Sequence, residues 1–181
     1  MHSAVAVANH FLTRAAKTLE GGKLQGLVYF AHGLRLALVN LPLVDETLHA
    51  NADGVVVPSL SRLGIDEAAL VRAPLQLPGS AAAQLPDDAP AITTIDLVWN
   101  RFGSFSSQHL AVFVRGAGGP WDEAWNNRAA GAASVPLPNS KIRQWFRELV
   151  IQENRDLAAA DGLDKTVLLA RMRGDTTSGD T

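Results

Sequence analysis

The segment KLQGLVYFAHGLRLALVN, residues 23–40, constrains the fold most, because its apolar side chains surround nearly the whole circumference of a helix. One helical stripe contains Leu24, Leu27, Val28, Ala31, Leu34 and Leu38. Phe30, Ala37 and Leu41 extend the apolar surface around the cylinder. A helix that is apolar on nearly all sides is normally buried at the centre of a small domain. The segment therefore predicts a central buried helix that ends before Pro42.

A single histidine, His32, lies in the middle of this segment. Buried histidines usually make one or two hydrogen bonds that fix their helix to a neighbouring segment, and we expect this for His32. An acid–base role would need a second titratable group within reach of a pocket. Ser59 follows Val57 and Pro58 and lacks the Gly-x-Ser-x-Gly elbow of many hydrolases. A small hydrolase or transferase that uses Ser59 or His32 remains the less favoured alternative.

Helical periodicity predicts five further helices. One begins after Ser3 and one covers residues 92–102. The other three begin after Ser106, at Pro120, and near Asn139 or Ser140. The first of them is expected to stop at Gly21 and Gly22, and an additional short helix is expected from Asp66 to Val71.

A β-hairpin is predicted around residues 46–57, because Asp53 and Gly54 form a turn signal between two apolar runs. Its strands are expected at about residues 46–51 and 54–57. The predicted fold class is mainly α (α+β): a compact helical domain with one short β-hairpin. The segment 74–90 contains four prolines and is predicted to be a mobile loop.

The chain length of 181 residues, with 47% hydrophobic residues, predicts a single domain over residues 1–160. Residues 161–181 are expected to be a C-terminal extension. Its last residues, GDTTSGDT, have no apolar side chain to bury and are predicted to be disordered.

Composition limits the partners that are expected. With 16 basic and 18 acidic residues and no basic cluster, the chain shows no sign of a nucleic-acid partner. It has no cysteine, no signal-peptide pattern and no apolar run that could span a membrane, which predicts a cytoplasmic protein without a membrane partner. The five histidines lack metal-ligand spacing, so neither a metal nor another cofactor is expected.

Several segments occur in an order that resembles the Panacea-domain, SocA-like antitoxin family, which also includes phage-associated proteins. They are ANHFL, KLQGLVYFAHGLRLAL, PLVDETLHANADGVVVPSL, FGSFSSQHL, GGPWDEAW and KIRQWFREL. The residues that carry the family motif are Lys23, Gln25, Tyr29, His32, Gly54 and Pro58. Family members usually have a tryptophan and a proline in the hairpin and Thr-His ahead of the Pro-Trp helix, whereas this chain has Asn51, Val55 and Val114-Arg115.

The resemblance implies an antitoxin that neutralises a cognate protein toxin by direct contact and is not an enzyme. Some relatives deliver the toxin to a protease, so the resemblance also admits a cellular protease as a partner. A second alternative is a divergent prophage or effector interaction protein that kept the fold and changed its partner. The candidate partner-binding residues are Trp121, Trp125, Arg115 and Asp53, because aromatic and arginine anchors supply most of the affinity of protein interfaces.

Overall fold

The computed structural model describes residues 1–161, except residues 16, 73, 77–82 and 86 and the side chains of residues 154 and 156–161. The helices of the described residues are α1 (Ala4–Arg14), α2 (Gly21–Val39), α3 (Pro58–Arg62), α4 (Ala89–Phe102), α5 (Ser107–Val114), α6 (Pro120–Asn126) and α7 (Asn139–Asp161). The strands have two residues each: β1 (Leu19–Glu20), β2 (His49–Ala50), β3 (Val55–Val56), β4 (Leu70–Val71) and β5 (Val135–Pro136). The mainly helical fold class with a small β component is confirmed.

Helix α2 is the centre of the packing, and α1, α4, α5 and α7 all contact it. It ends where Asn40 adopts a left-handed conformation with φ of 60°, and the Asn40 N–H donates to the Leu36 carbonyl. Helix α7 approaches α2 closely at Gly33, where an added Cβ would lie 2.2 Å from the ring of Phe146. The missing side chain of Gly33 is therefore what allows the central and last helices to pack together.

The hairpin pairs β2 with β3 in antiparallel register, with His49 opposite Val56. The Asn51 Oδ1 accepts hydrogen bonds from the N–H groups of Asp53 and Gly54, and Gly54 has φ of 144°. The predicted hairpin and its Asp-Gly turn are present, with shorter strands than expected. Strand β5 pairs with the other edge of β2 and makes a three-stranded sheet of order β3-β2-β5, which was not predicted.

One predicted boundary and one predicted helix were wrong. Helix α1 ends at Arg14, and Gly21 begins α2 instead of stopping α1. The cause is close packing: an added Cβ at Gly21 would lie 1.9 Å from the Asp66 carbonyl oxygen. The predicted helix from Asp66 to Val71 is absent, because residues 70–71 form β4 and pair with β1.

The segment 74–90 is shorter than predicted as a loop, since α4 begins at Ala89 and its N-cap Asp88 accepts a hydrogen bond from the Ala91 N–H. Asn9 of α1 holds this segment through its amide, which bonds to the Leu75 backbone and to the Ala83 carbonyl. Residues 77–82 and 86 of the segment lie outside the described residues, as does the predicted extension beyond residue 161.

In the described part of the chain, no helix combines the length and the apolar character that crossing a bilayer requires. The buried hydrophobic side chains form one continuous core that runs from α1 to α7.

Candidate functional site

The motif residues of α2 connect the central helix to the segments around it. The side chain of Gln25 is buried and makes two backbone hydrogen bonds: its Nε2 donates to the Ile65 carbonyl at 2.9 Å and its Oε1 accepts from the Val57 N–H at 2.8 Å. The amide thereby pairs two backbone groups that no regular element satisfies. Gln25 thus fixes the end of the hairpin against α2.

Lys23 is mostly buried, and its ammonium group donates to the Gly103 carbonyl at 2.6 Å. It also lies 6.0 Å from the centre of the Trp99 ring. Burial and the nearby positive charge of Lys17 lower the pKa of Lys23 below its ordinary value, against the opposing effect of Glu20. The Gly103 carbonyl directly follows α4, so Lys23 connects α2 to the end of that helix.

Tyr29 lies in the aromatic part of the core, with its ring 5.3 Å from that of Phe146 in an edge-to-face arrangement. Its hydroxyl group is buried and has no hydrogen-bond partner among the described residues. Burial raises the pKa of the Tyr29 hydroxyl above its ordinary range. Tyr29 therefore remains neutral and acts as a large core side chain.

His32 is fully buried, and both of its ring nitrogens have partners. The Val44 N–H donates to Nδ1 at 3.3 Å, which places the ring proton on Nε2, and Nε2 lies 2.8 Å from the Asn139 Oδ1. Burial lowers the pKa of His32 below its ordinary value, although the bond to Asn139 acts in the opposite direction. The environment of His32 is the buried, hydrogen-bonded one that its sequence context predicts.

The two candidate tryptophans lie next to each other on α6. Their rings are nearly parallel, with centroids 6.3 Å apart and an interplanar angle of 22°. Both side chains are half-buried, so each packs on the core with one part and meets solvent with another. The Trp121 Nε1 donates to the Asn51 carbonyl at 2.9 Å and attaches the pair to the hairpin.

Arg128 completes this arrangement, although it was not among the predicted partner-binding residues. Its guanidinium carbon lies 3.8 Å from the centroid of the Trp125 ring, and its Nη1 donates to the Trp125 carbonyl at 2.6 Å. Arg128 lies two residues beyond the end of α6, and the only signal in the sequence is its position three residues after Trp125. We call Trp121, Trp125 and Arg128 the tryptophan–arginine ladder.

Helix α6, which carries the two tryptophans, is connected to the turn before it and to α7. The N–H of Gly118 donates to the Asp122 Oδ2 at 2.9 Å, and Asn126 donates to the same carboxylate at 2.6 Å. Lys141 of α7 forms an ion pair with Glu123 at 3.0 Å. Proline at the first position and two acids in the first turn favour the helix start, as the sequence predicts.

The other two candidates lie at the borders of this surface. Asp53 is exposed at the hairpin tip, in the same turn as the carbonyl group that binds Trp121. Arg115 is exposed at the end of α5, ahead of the turn that leads into α6. The structure therefore joins Trp121 to Trp125 and to the hairpin, whereas no hydrogen bond, ion pair or ring contact joins Arg115 to them among the described residues.

Ser59, the candidate nucleophile of the alternative reading, is tied to Glu46. The Ser59 N–H donates to the Glu46 Oε2 at 2.9 Å, and the Ser59 hydroxyl donates to the other carboxylate oxygen. Pro58 and Ser59 are the first two residues of α3, so Glu46 satisfies the free N–H of Ser59 at the start of that helix. No cluster of three or more potential metal ligands occurs in the described part of the chain.

Comparisons of the chain with protein-family models, with curated proteins and with solved structures find no match.

Proposed function

We propose that this chain is an antitoxin-like protein that binds and neutralises a cognate protein toxin by direct contact. The observation that carries the proposal is the tryptophan–arginine ladder: two half-exposed indoles on a short helix that is fixed to its surroundings, and a guanidinium that stacks on the second of them from the segment after that helix. Tryptophan and arginine are the residues most enriched among those that dominate the affinity of protein interfaces.

Rigidity supports this role for the ladder. The Trp121 bond to the hairpin, the Arg128 bond to the Trp125 carbonyl and the ion pair of Glu123 with Lys141 hold the side chains in place before binding. A group that is already ordered loses less conformational entropy when a partner covers it. Such an arrangement is suited to supplying anchors to a protein interface.

The motif residues support the proposal in a different way. Lys23, Gln25 and His32 each make hydrogen bonds that connect α2 to another segment. These residues hold the fold together, as expected for the core motif of the antitoxin family that the sequence resembles. We propose that this framework supports binding and not catalysis. The proposed location is the cytoplasm, and a cellular protease is the proposed second partner of the complex.

The proposal is tested with the protein encoded next to this chain in its genome. The chain and its neighbour are co-expressed, and binding is measured by calorimetric titration with the wild type and with Trp121→Ala. We expect the substitution to weaken binding by at least about 2 kcal/mol, the usual threshold for an interface anchor. Circular dichroism must first show that the variant is folded.

The matched control is Leu70→Ala, which truncates an apolar side chain that is 76% exposed on β4, in the other sheet. It is expected to leave the affinity unchanged. If Trp121→Ala and Trp125→Ala both bind like the wild type, α6 is not the contact surface. If the neighbour shows no toxicity and no binding, the antitoxin function itself is wrong.

A further inference from the structure

A cleft lies where the outward face of the three-stranded sheet meets α3. It has a volume of about 350 Å³, is open to solvent, and is lined by His49, Val56, Pro58, Ser61, Arg62 and Ser134. The cleft is shallow, so a ligand would lie on it with one side in solvent. None of its lining residues is acidic.

Two of the lining side chains form a polar pair. The Nδ1 of His49 lies 3.1 Å from the Ser134 Oγ. When the hydroxyl donates to Nδ1, the imidazole keeps an N–H on Nε2, and when Nδ1 donates, the hydroxyl keeps its own hydrogen. In either arrangement the pair retains one hydrogen-bond donor for a ligand.

Arg62 supplies a positive charge at the border of the cleft. Its side chain is 70% exposed, and the nearest carboxylate oxygen, Glu46 Oε2, is 3.9 Å away. Both oxygens of Glu46 already accept hydrogen bonds from Ser59, so this carboxylate is engaged at the start of α3. No hydrogen bond of the Arg62 guanidinium occurs among the described residues, so its donors are available to a ligand, while the Glu46 carboxylate offsets part of its positive charge.

We propose that this cleft binds a carboxylate group carried on a short apolar chain. Arg62 pairs with the carboxylate, the His49–Ser134 pair donates a further hydrogen bond, and Ser61 lines the same cleft. Val56 and Pro58 provide the apolar wall for the rest of the ligand. The carboxylate has two sources with the same chemistry: an acidic segment of a protein, or a free dicarboxylate.

The test uses the full chain and two probes. One is a fluorescently labelled hexapeptide of alternating glutamate and valine, followed by anisotropy, with the glutamine–valine peptide as its neutral counterpart. The other is glutarate, titrated while the imidazole signals of His49 are followed by NMR. We expect the glutamate peptide to bind and the glutamine peptide not to bind. Arg62→Gln is expected to weaken binding by at least about tenfold, because a charge-assisted pair becomes a neutral one.

Arg72→Gln is the matched control, since Arg72 is also exposed but follows β4 in the other sheet. A peptide that binds at least about ten times more tightly than glutarate identifies a protein segment as the source. Equal affinities identify a free dicarboxylate. The proposal is overturned if neither probe binds, if the two peptides bind equally, or if Arg62→Gln and Arg72→Gln have the same effect.

His49→Phe provides a second test, because it removes the ring nitrogens while Arg62 remains. It is expected to weaken binding of the carboxylate probe, and unchanged binding would contradict the proposed site. None of these measurements uses a toxin or the tryptophan–arginine ladder. The cleft and the antitoxin function can therefore fail independently.

Discussion

Asn139, the first residue of α7, lies 2.8 Å from the imidazole of His32 in α2, so one hydrogen bond joins two helices whose residues are 107 positions apart. The second ring nitrogen accepts from the Val44 N–H, which follows the end of α2. A neutral imidazole of one tautomer satisfies both neighbours at once. The side chain at position 32 must therefore offer one hydrogen-bond acceptor and one donor in a buried position.

Replacement of His32 by alanine should lower the free energy of unfolding by about 1–3 kcal/mol, because the Val44 N–H and the Asn139 side chain lose their buried partner. Denaturant titration followed by circular dichroism measures the loss. His109→Ala serves as the control, since His109 is exposed on α5. A His32→Ala variant that melts like the wild type and has lost its activity would show that the residue is functional and not structural.

The same imidazole should make stability depend on pH. Burial lowers the pKa of folded His32 below the ordinary value of 6.5, so the unfolded chain binds the proton first as the pH falls. The free energy of unfolding therefore rises with pH in this window, and the stability is lost as the pH falls from about 6.5 toward the folded pKa. The slope from this one residue is at most about 1.4 kcal/mol per pH unit.

Urea titrations across that window, with the wild type and with His32→Gln, isolate this contribution. The glutamine variant cannot titrate at residue 32, so its stability should depend less on pH. Asp88 contributes in a different window: burial acts to raise its pKa, but the hydrogen bonds from Ala91 and His2 and the charge of Arg35 lower it below 3.8. Identical slopes for the two proteins near pH 6 would refute the assignment to His32.

Gly33 permits a second prediction about the contact of α2 with α7. An alanine at position 33 would place its Cβ 2.2 Å from the Phe146 ring, so Gly33→Ala should destabilise the fold by about 1–3 kcal/mol. Gly26 in the same helix is the matched control, because a Cβ there meets its nearest neighbour at 3.7 Å. Gly26→Ala should be neutral or stabilise by up to about 1 kcal/mol, since glycine disfavours a helix interior. Equal melting temperatures of the two variants would contradict the close packing.

Six of the seven helices in the described part of the chain were predictable because their signals are local, whereas the five-residue α3 was not predicted. The apolar circumference of α2, Ser106 as the N-cap of α5 and Pro120 at the start of α6 each depend on neighbouring residues alone, and the structure has all three. The segment around Asp66 shows why local signals can fail. Its carboxylate does accept from the N–H groups of Ala68 and Ala69, as an N-cap would, but pairing of β4 with β1 determines the conformation that follows.

The candidate site was only partly predictable. The i, i+4 spacing of Trp121 and Trp125 predicted that the two side chains lie close together on one face of a helix, and their rings are stacked there. The bond of Trp121 to the Asn51 carbonyl joins residues 70 positions apart, and no sequence pattern marks such a contact. Strand β5 has two residues, one of them proline, and shows no alternation that could identify it or the cleft beside it.

Trp121→Phe separates the two roles of this indole, because it removes the Nε1–H and keeps an aromatic face beside Trp125. The Asn51 carbonyl then loses a donor that lies 2.9 Å away, and the free energy of unfolding should fall by about 0.5–1.5 kcal/mol. Trp125→Phe is the control for the smaller ring: in the described part of the chain the Trp125 indole nitrogen has no hydrogen bond, so this variant loses stacking area but no paired donor and should lose less stability than Trp121→Phe.

Binding to the proposed toxin partner should respond to the same variants in a different order. Trp121→Phe keeps most of the aromatic contact area and should retain more affinity than Trp121→Ala, which removes the stacking partner of Trp125 as well. Chemical denaturation and calorimetric titration of the three variants give the stability and the affinity separately. If Trp121→Phe lowers the affinity as much as Trp121→Ala while its stability equals that of the wild type, the indole N–H, and not the aromatic area, supplies the contact with the proposed toxin.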